Sequence, residues 1–473
     1  MGIQLDWQIE SDRAKQRATE DPNAKRYRRR QRRNLLLGMT ILACLVGSVL
    51  GGVIWRLRAV DNQVRQNLLD TVDVEITAIN VGNLSNYMQV KRSASEDWLQ
   101  NQRDIFNEYQ QLKQAGQLEL TGKVLDVTID EPRGRVVLEE KVAGVPYRVV
   151  WFYWLYEDNV NGQAGWRRVP PDVEFWGSQK TIDKGSLKVV YHELDRRMAE
   201  AMANQVDGWW DEACSLLICS AGQAQLTIEI VPETLAGPEW DLYEEWKVRV
   251  PSPLLLDRGR NDVPFTPELE AALAHVLAEK LADYSRGNSF RPNDYSDAQW
   301  LQEEIVAWLA GQFTSNTDDG SRFFTTFDAA FGSTAPSQIL SNLRPDSTLS
   351  DLQLVTGNVA VQDLGLERLN TINWNDFFQW RLKLEGVTLR DQNQPACYQL
   401  YDETIANGAT AANTRCAAYD PNQIVPIVNG TVITNDTDGN LFAYVDALAN
   451  PSDTSQREQI IFRWVGSTWK RIN

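Results

Sequence analysis

Apolar residues recur along this chain with two different periods, and the switches between them mark its elements. From Val60, hydrophobic side chains repeat every three or four places through Val64, Leu68, Val72, Ile76 and Ile79. Trp98, Gln102, Phe106 and Tyr109 do the same later, so 57–115 predicts helices. The period then falls to two. Residues 118–120, 123–129, 135–139, 147–156 and 165–170 predict strands, with Pro132-Arg133-Gly134 as a turn. The run 149–156 is unbroken and aromatic, which predicts a central strand. A strand at 187–191 and helices through Met198, Met202 and 209–217 follow, with further strands at 225–231 and 246–250. Short helices are predicted at 323–331, 336–343 and 349–355. A second helix-then-strand pattern closes the chain. Trp374, Phe377, Phe378, Trp380, Leu382 and Leu384 crowd one helix, and 397–405 predicts another. Four strands follow at 424–432, 441–448, 459–465 and 469–472, with Asp438-Gly439 as a hairpin turn.

Two helices between Phe265 and Phe313 organise the middle. Thr266-Pro267-Glu268 supplies a hydroxyl cap, a proline at the first helical position and an acid for the positive helix end. Leu269, Leu273, Leu277 and Leu281 form its stripe. Beside them lie the mostly small residues Ala271, Ala272, His275, Ala278, Glu279 and Ala282. Ser296 and Gln299 have capping-box spacing and open the second helix. Its stripe is Leu301, Ile305, Trp308 and Leu309, and its small face carries Glu303, Ala307, Ala310 and Gly311. Close packing of the two small faces is expected to bring His275 towards Glu303.

This arrangement resembles gluzincin metallopeptidases, in particular the peptidase-MA-like family. Trp300-Leu301-Gln302-Glu303-Glu304 matches the Trp-Leu-x-Glu-Gly helix that supplies the third zinc ligand there, except that Glu304 stands where glycine is usual. Ala271-Ala272-Leu273-Ala274-His275 falls where the family has His-Glu-x-x-His. By that resemblance Ala271 replaces a zinc histidine, Ala272 replaces the general base, and His275 is the surviving ligand. A catalytic zinc needs three protein ligands, an open position and a base beside its water. The expectation is therefore a vestigial site at His275, Glu303 and Glu279, with no catalytic residue and no cofactor. The alternative is an atypical zinc enzyme that uses those three side chains.

The helix-then-meander patterns at 57–178 and 366–473 are similar to the ketosteroid-isomerase-like cone fold, in which a bent sheet wraps a long helix. Enzymes of that fold place an acid or histidine inside the cone. No acid stands out here, so the cones are expected to be binding or spacer modules.

Charge changes the picture at the start of the chain. Residues 1–33 carry ten Lys or Arg against five Asp or Glu, net +5, so the rest holds −22 of the total −17. Such an acidic body argues against nucleic acid as a partner. Asn34 to Trp55 has no charged residue, and about 22 residues at about 1.5 Å each suffice to cross a bilayer. The basic tail in front predicts a signal anchor with a cytoplasmic N-terminus and extracytoplasmic C-terminal domains. Ala43, Gly47 and Gly51 have the spacing of a dimer seam. Cys44 lies in this stretch. The other four cysteines form two close pairs, Cys214 with Cys219 and Cys397 with Cys416, which suggests disulfides.

The expected class is α+β with a single N-terminal transmembrane helix. The expected domains are a tail at 1–33, a membrane helix at 34–55, a cone at 57–178, a mostly helical zincin-like domain at 187–365 and a second cone at 366–473. No Gly-rich phosphate loop, Ser nucleophile elbow or Cys-x-x-Cys pair is present. The function expected first is a membrane-anchored scaffold that binds a protein or peptide through an inactive peptidase-like domain. A zinc metallopeptidase and a binder of small apolar ligands are the alternatives.

Overall fold

Apolar positions at helical spacing build the first helix, α1 (Pro22–Val81), and its last part buries Leu68, Val72, Ile76 and Ile79. The structure, a computed structural model, describes residues 22–157, 164–217, 225–256, 258–286, 291–314, 320–332, 334–417, 424–449 and 456–473. Within α1 the side chains of 22–25, 38, 40–43, 45–47, 49–51, 53 and 54 are excepted. The class is α+β, with three sheets among the described residues. The membrane helix expected at 34–55 needs correction. Those residues are helical within α1, but charged residues flank them, and among the described residues no helix is long and apolar enough to cross a membrane. The seam residues Ala43, Gly47 and Gly51 have side chains outside the described residues.

The chain divides into two units, residues 1–138 with 151–170, and residues 139–150 with 171–473. In the first, α2 (Leu84–Gln89) is capped by the Asn83 side chain. Ser95 caps α3 (Glu96–Gln114), whose first turn carries Glu96 and Asp97 and whose last carries Lys113, each sign where the helix dipole favours it. Strands β1 (Leu118–Glu119), β2 (Val124–Asp130), β3 (Arg133–Val142), β4 (Val145–Tyr156) and β5 (Gly165–Val169) follow, of which residues 139–150 of β3 and β4 count with the second unit. β2 pairs antiparallel with β3 through a bulge at 124–126, and β5 pairs antiparallel with β4. Trp151, Phe152 and Tyr153 of β4 are buried, as befits a central strand.

The second unit contains a five-stranded mixed sheet. Its strands are β6 (Gln179–Asp183), β7 (Leu187–His192), β8 (Leu226–Val231), β9 (Glu239–Trp240) and β10 (Lys247–Pro251), in the order β6-β7-β8-β10-β9. β7, β8 and β10 run parallel, and β6 and β9 are antiparallel edges. The crossover from β7 to β8 carries α4 (Arg196–Val206) and α5 (Trp209–Leu217). A short β11 (Gly259–Arg260) pairs with Tyr147 and Arg148.

Helices α6 (Pro267–Arg286) and α7 (Asp297–Phe313) pack on each other, followed by α8 (Arg322–Phe331) and α9 (Ala335–Asn342). Thr266 Oγ1 accepts from Leu269 N, and Ser296 Oγ accepts from Gln299 N, as the caps predicted. Then come α10 (Asn375–Arg390), α11 (Gln394–Gln399), α12 (Ala406–Cys416) and an antiparallel meander of β12 (Ile427–Asn435), β13 (Leu441–Leu448), β14 (Arg457–Val465) and β15 (Thr468–Arg471).

The stretches read from sequence as 187–365 and 366–473 share one core. One cluster of buried side chains has members from Leu187 to Trp469, and aromatic rings join the two parts. Trp300 meets Phe323 at 4.8 Å and Phe377 at 4.9 Å, and Trp374 meets Trp469 at 6.0 Å. Cys397 and Cys416 form a buried disulfide, tying α11 to α12. Cys214 is also disulfide-bonded, and Cys219 lies outside the described residues.

Candidate binding cleft

α6 buries two neighbouring stripes, Leu273, Leu277 and Leu281 beside Ala274, Ala278 and Ala282. Residues advance about 100° around a helix, so His275 and Glu279 turn outwards, and both are exposed. His275 makes no hydrogen bond or ion pair among the described residues. Ala271 and Ala272 are half-buried. Glu303 is exposed on α7 and accepts from Gln299 Nε2 at 2.9 Å. Among the described residues no three His, Cys, Asp or Glu side chains are grouped to hold a metal, so the residues present do not fit the zinc that the gluzincin resemblance implies.

Glu303 instead borders a cleft of about 700 Å³ over α7, α8 and α10. Its acidic end is built at the start of α8. Ser321 Oγ accepts from Phe324 N as the helix cap and donates to Glu304 Oε2. Asp376, one residue into α10, reaches across and accepts from Arg322 N at 3.0 Å and Phe323 N at 3.2 Å. A carboxylate is favoured there by the unsatisfied amides and dipole of the helix end. Gln379 fixes the opposite side, donating to Pro426 O and accepting from Val428 N at 2.8 Å. Trp380, Asn429 and the cations Arg322 and Lys383 complete the lining that matters here. Trp300 also lines it, 1% exposed, with no partner for its Nε1–H among the described residues.

Burial pushes the Glu304 carboxyl up to about 7, against the Ser321 hydrogen bond, and the nearby Asp376 and Glu303 charges add to the rise. Asp376 is also raised, by burial, against the Phe323 amide. The cleft therefore offers acceptors for a cation and an aromatic face, and one of its acids is half-protonated near neutrality. Glu304 was visible in the sequence only as the position where the gluzincin pattern has glycine. Asp376 and Trp380 were not singled out, since an acid in a first helical turn and an aromatic on a crowded helix are both ordinary.

Two buried acids lie elsewhere. Glu75 of α1 is fully buried with Lys91, Arg168 and the Tyr153 hydroxyl around it. The sequence carried a signal for it, an acid on the Leu68, Val72, Ile76, Ile79 stripe. With neither Glu75 nor Lys91 exposed, this network holds elements together rather than meeting a ligand. Asp195 accepts from Trp176 Nε1 at 2.7 Å and Ser252 Oγ at 2.5 Å, and burial raises it to about 6. The adjoining cavity of about 20 Å³ has room for one water.

No family model, curated protein or solved structure matches the chain.

Proposed function

We propose that the protein is a non-catalytic binding protein whose cleft takes a basic peptide segment of a partner, on a degenerate peptidase-like framework. The observation that carries this reading is the convergence of Glu303, Glu304 and Asp376 on one open cleft beside Trp380. Three acids against the two cations Arg322 and Lys383 leave the lining net acidic, which favours a lysine or arginine side chain, and Trp380, which already holds Arg381 at 5.3 Å, adds aromatic contact. The exposed His275 and Glu279 support a role without metal chemistry. The Cys397–Cys416 disulfide supports an oxidising compartment.

The test is titration of the full chain with Lys/Arg-rich peptides and with acidic peptides of matched length, followed by tryptophan fluorescence. Glu304→Gln and Asp376→Asn each keep an acceptor oxygen, so the fold is retained. Each is expected to weaken the basic peptides by about tenfold, the weight of a charge-assisted contact. Equal binding of acidic peptides, or unchanged affinity in both variants, would refute the reading.

A further inference from the structure

We infer that the loop from β9 to β10 docks, through Leu242 and Tyr243, into an apolar pocket with a basic rim on a partner protein. Leu242 is 91% exposed and Tyr243 93%, the most exposed large hydrophobic side chains described. Water contact on two adjacent large side chains is unfavourable in the lone molecule, and aromatic anchors of this kind dominate protein interfaces.

The loop holds them in a fixed form. Asp241 Oδ1 accepts from Tyr243 N at 2.8 Å and Glu244 N at 3.0 Å, closing an Asx turn. Asp241 N donates to Lys247 O, and Lys247 N donates to Glu244 O. Lys247 Nζ lies 2.8 Å from Glu229 and 3.1 Å from Glu244. Beneath the loop, Trp246 packs edge-on against Trp210 at 4.9 Å and Tyr284 at 5.1 Å. A tip fixed by its base loses little conformational freedom on docking.

Charge selects the occupant. Asp241, Glu244 and Glu245 flank the two side chains in sequence, and the nearby cations Lys247, Arg249 and Lys280 are outnumbered by the acids they meet, Glu229, Glu233, Glu239, Glu244 and Glu245. In a symmetric contact with a second copy these acids would face their own images. On an anionic membrane they would meet like charge. A basic-rimmed protein pocket satisfies both the apolar tip and its acidic surround.

The test places the photo-cross-linker p-benzoylphenylalanine at position 243 of the full chain in its native cells. The cross-linked protein is identified by mass, purified and titrated against wild type, Leu242→Ser and Tyr243→Ser. Both side chains stand in solvent, so the variants are expected to keep the wild-type melting temperature. Their affinity is expected to fall about 30-fold, a hot-spot loss, and wild-type affinity is expected to fall as salt rises. Cross-links only to a second copy or to lipid, or none at all, would overturn the inference. So would a partner whose affinity both variants and salt leave unchanged.

Discussion

Lys91 Nζ and Glu75 Oε1 meet at 2.5 Å, with neither side chain open to solvent. Arg168 shares the same oxygen, and Tyr153 Oη donates to the other at 3.2 Å. Lys91 also sits 3.6 Å over the Tyr87 ring. One carboxylate thus serves two buried cations, joining α1, the segment after α2, and β5.

Removing that carboxylate leaves two cations buried without an anion. Glu75→Gln is expected to destabilise the first unit by about 3–5 kcal/mol. Lys91→Met leaves Glu75 with Arg168, so its cost should be less than half of that. Urea unfolding followed by tryptophan fluorescence measures both, and equal losses would refute the shared-carboxylate account.

The same group predicts a pH dependence. Burial pushes Lys91 down to about 7, against Glu75, while the unfolded chain has the ordinary 10.5. Between those values the unfolded chain binds more protons, so stability rises with pH, by at most about 1.4 kcal/mol per unit. Below 7 both states are protonated and the cost is complete. Glu75 runs the other way. Burial alone would raise its carboxyl, but Arg168 and Lys91 hold it below the usual range. Its stabilisation is present above pH 4.5 and is lost as pH falls through the folded value. Denaturation series from about pH 2 to 10 should show both slopes in wild type, and the alkaline rise should vanish in Lys91→Met.

Glu304 has the opposite sign to Glu75. Its folded value of about 7 lies above the unfolded 4.5, so the folded state loses stability as pH rises between them. Glu304→Gln should therefore stabilise the protein at pH 8 by about 1–3 kcal/mol and be neutral at pH 4. Melting temperatures at the two pH values test this. Gaining stability while losing peptide affinity is the trade expected of a strained binding group.

Gly408, in α12, lies against the backbone of Asp402. A Cβ there would stand 2.0 Å from the Asp402 carbonyl oxygen. Gly408→Ala must push apart α12 and the segment that Arg463 fixes through the Asp402 carboxylate at 3.0 Å. A loss of about 3 kcal/mol or more is expected, read from the unfolding midpoint. A change within about 0.5 kcal/mol would show that the helix shifts freely.

Most elements could be read from period and punctuation. The Ser296 cap and the Asp438-Gly439 turn are local signals, and local geometry answers them, with Gly439 at φ 82°. What failed to show was which of two adjacent stripes a helix buries. α6 buries both its leucines and the alanines at 274, 278 and 282, which leaves His275 and Glu279 facing water. The acids of the cleft come from 304 and 376, a pairing set by tertiary packing alone. The shared core was equally hidden, because a helix-then-meander pattern reads the same whether or not it leans on its neighbour. The 34–55 stretch shows the reverse error, since an uncharged run was given a lipid role from composition, and the described helix does not meet the length and apolarity that crossing requires.

Trp300, Phe323, Phe377 and Trp469 belong to the same buried cluster. A cut near residue 365 would strip each half of the rings that cover the other. Both fragments would then present wide greasy faces and clump, so the C-terminal part cannot be lifted out as a portable cassette or exchanged for a foreign one at that seam.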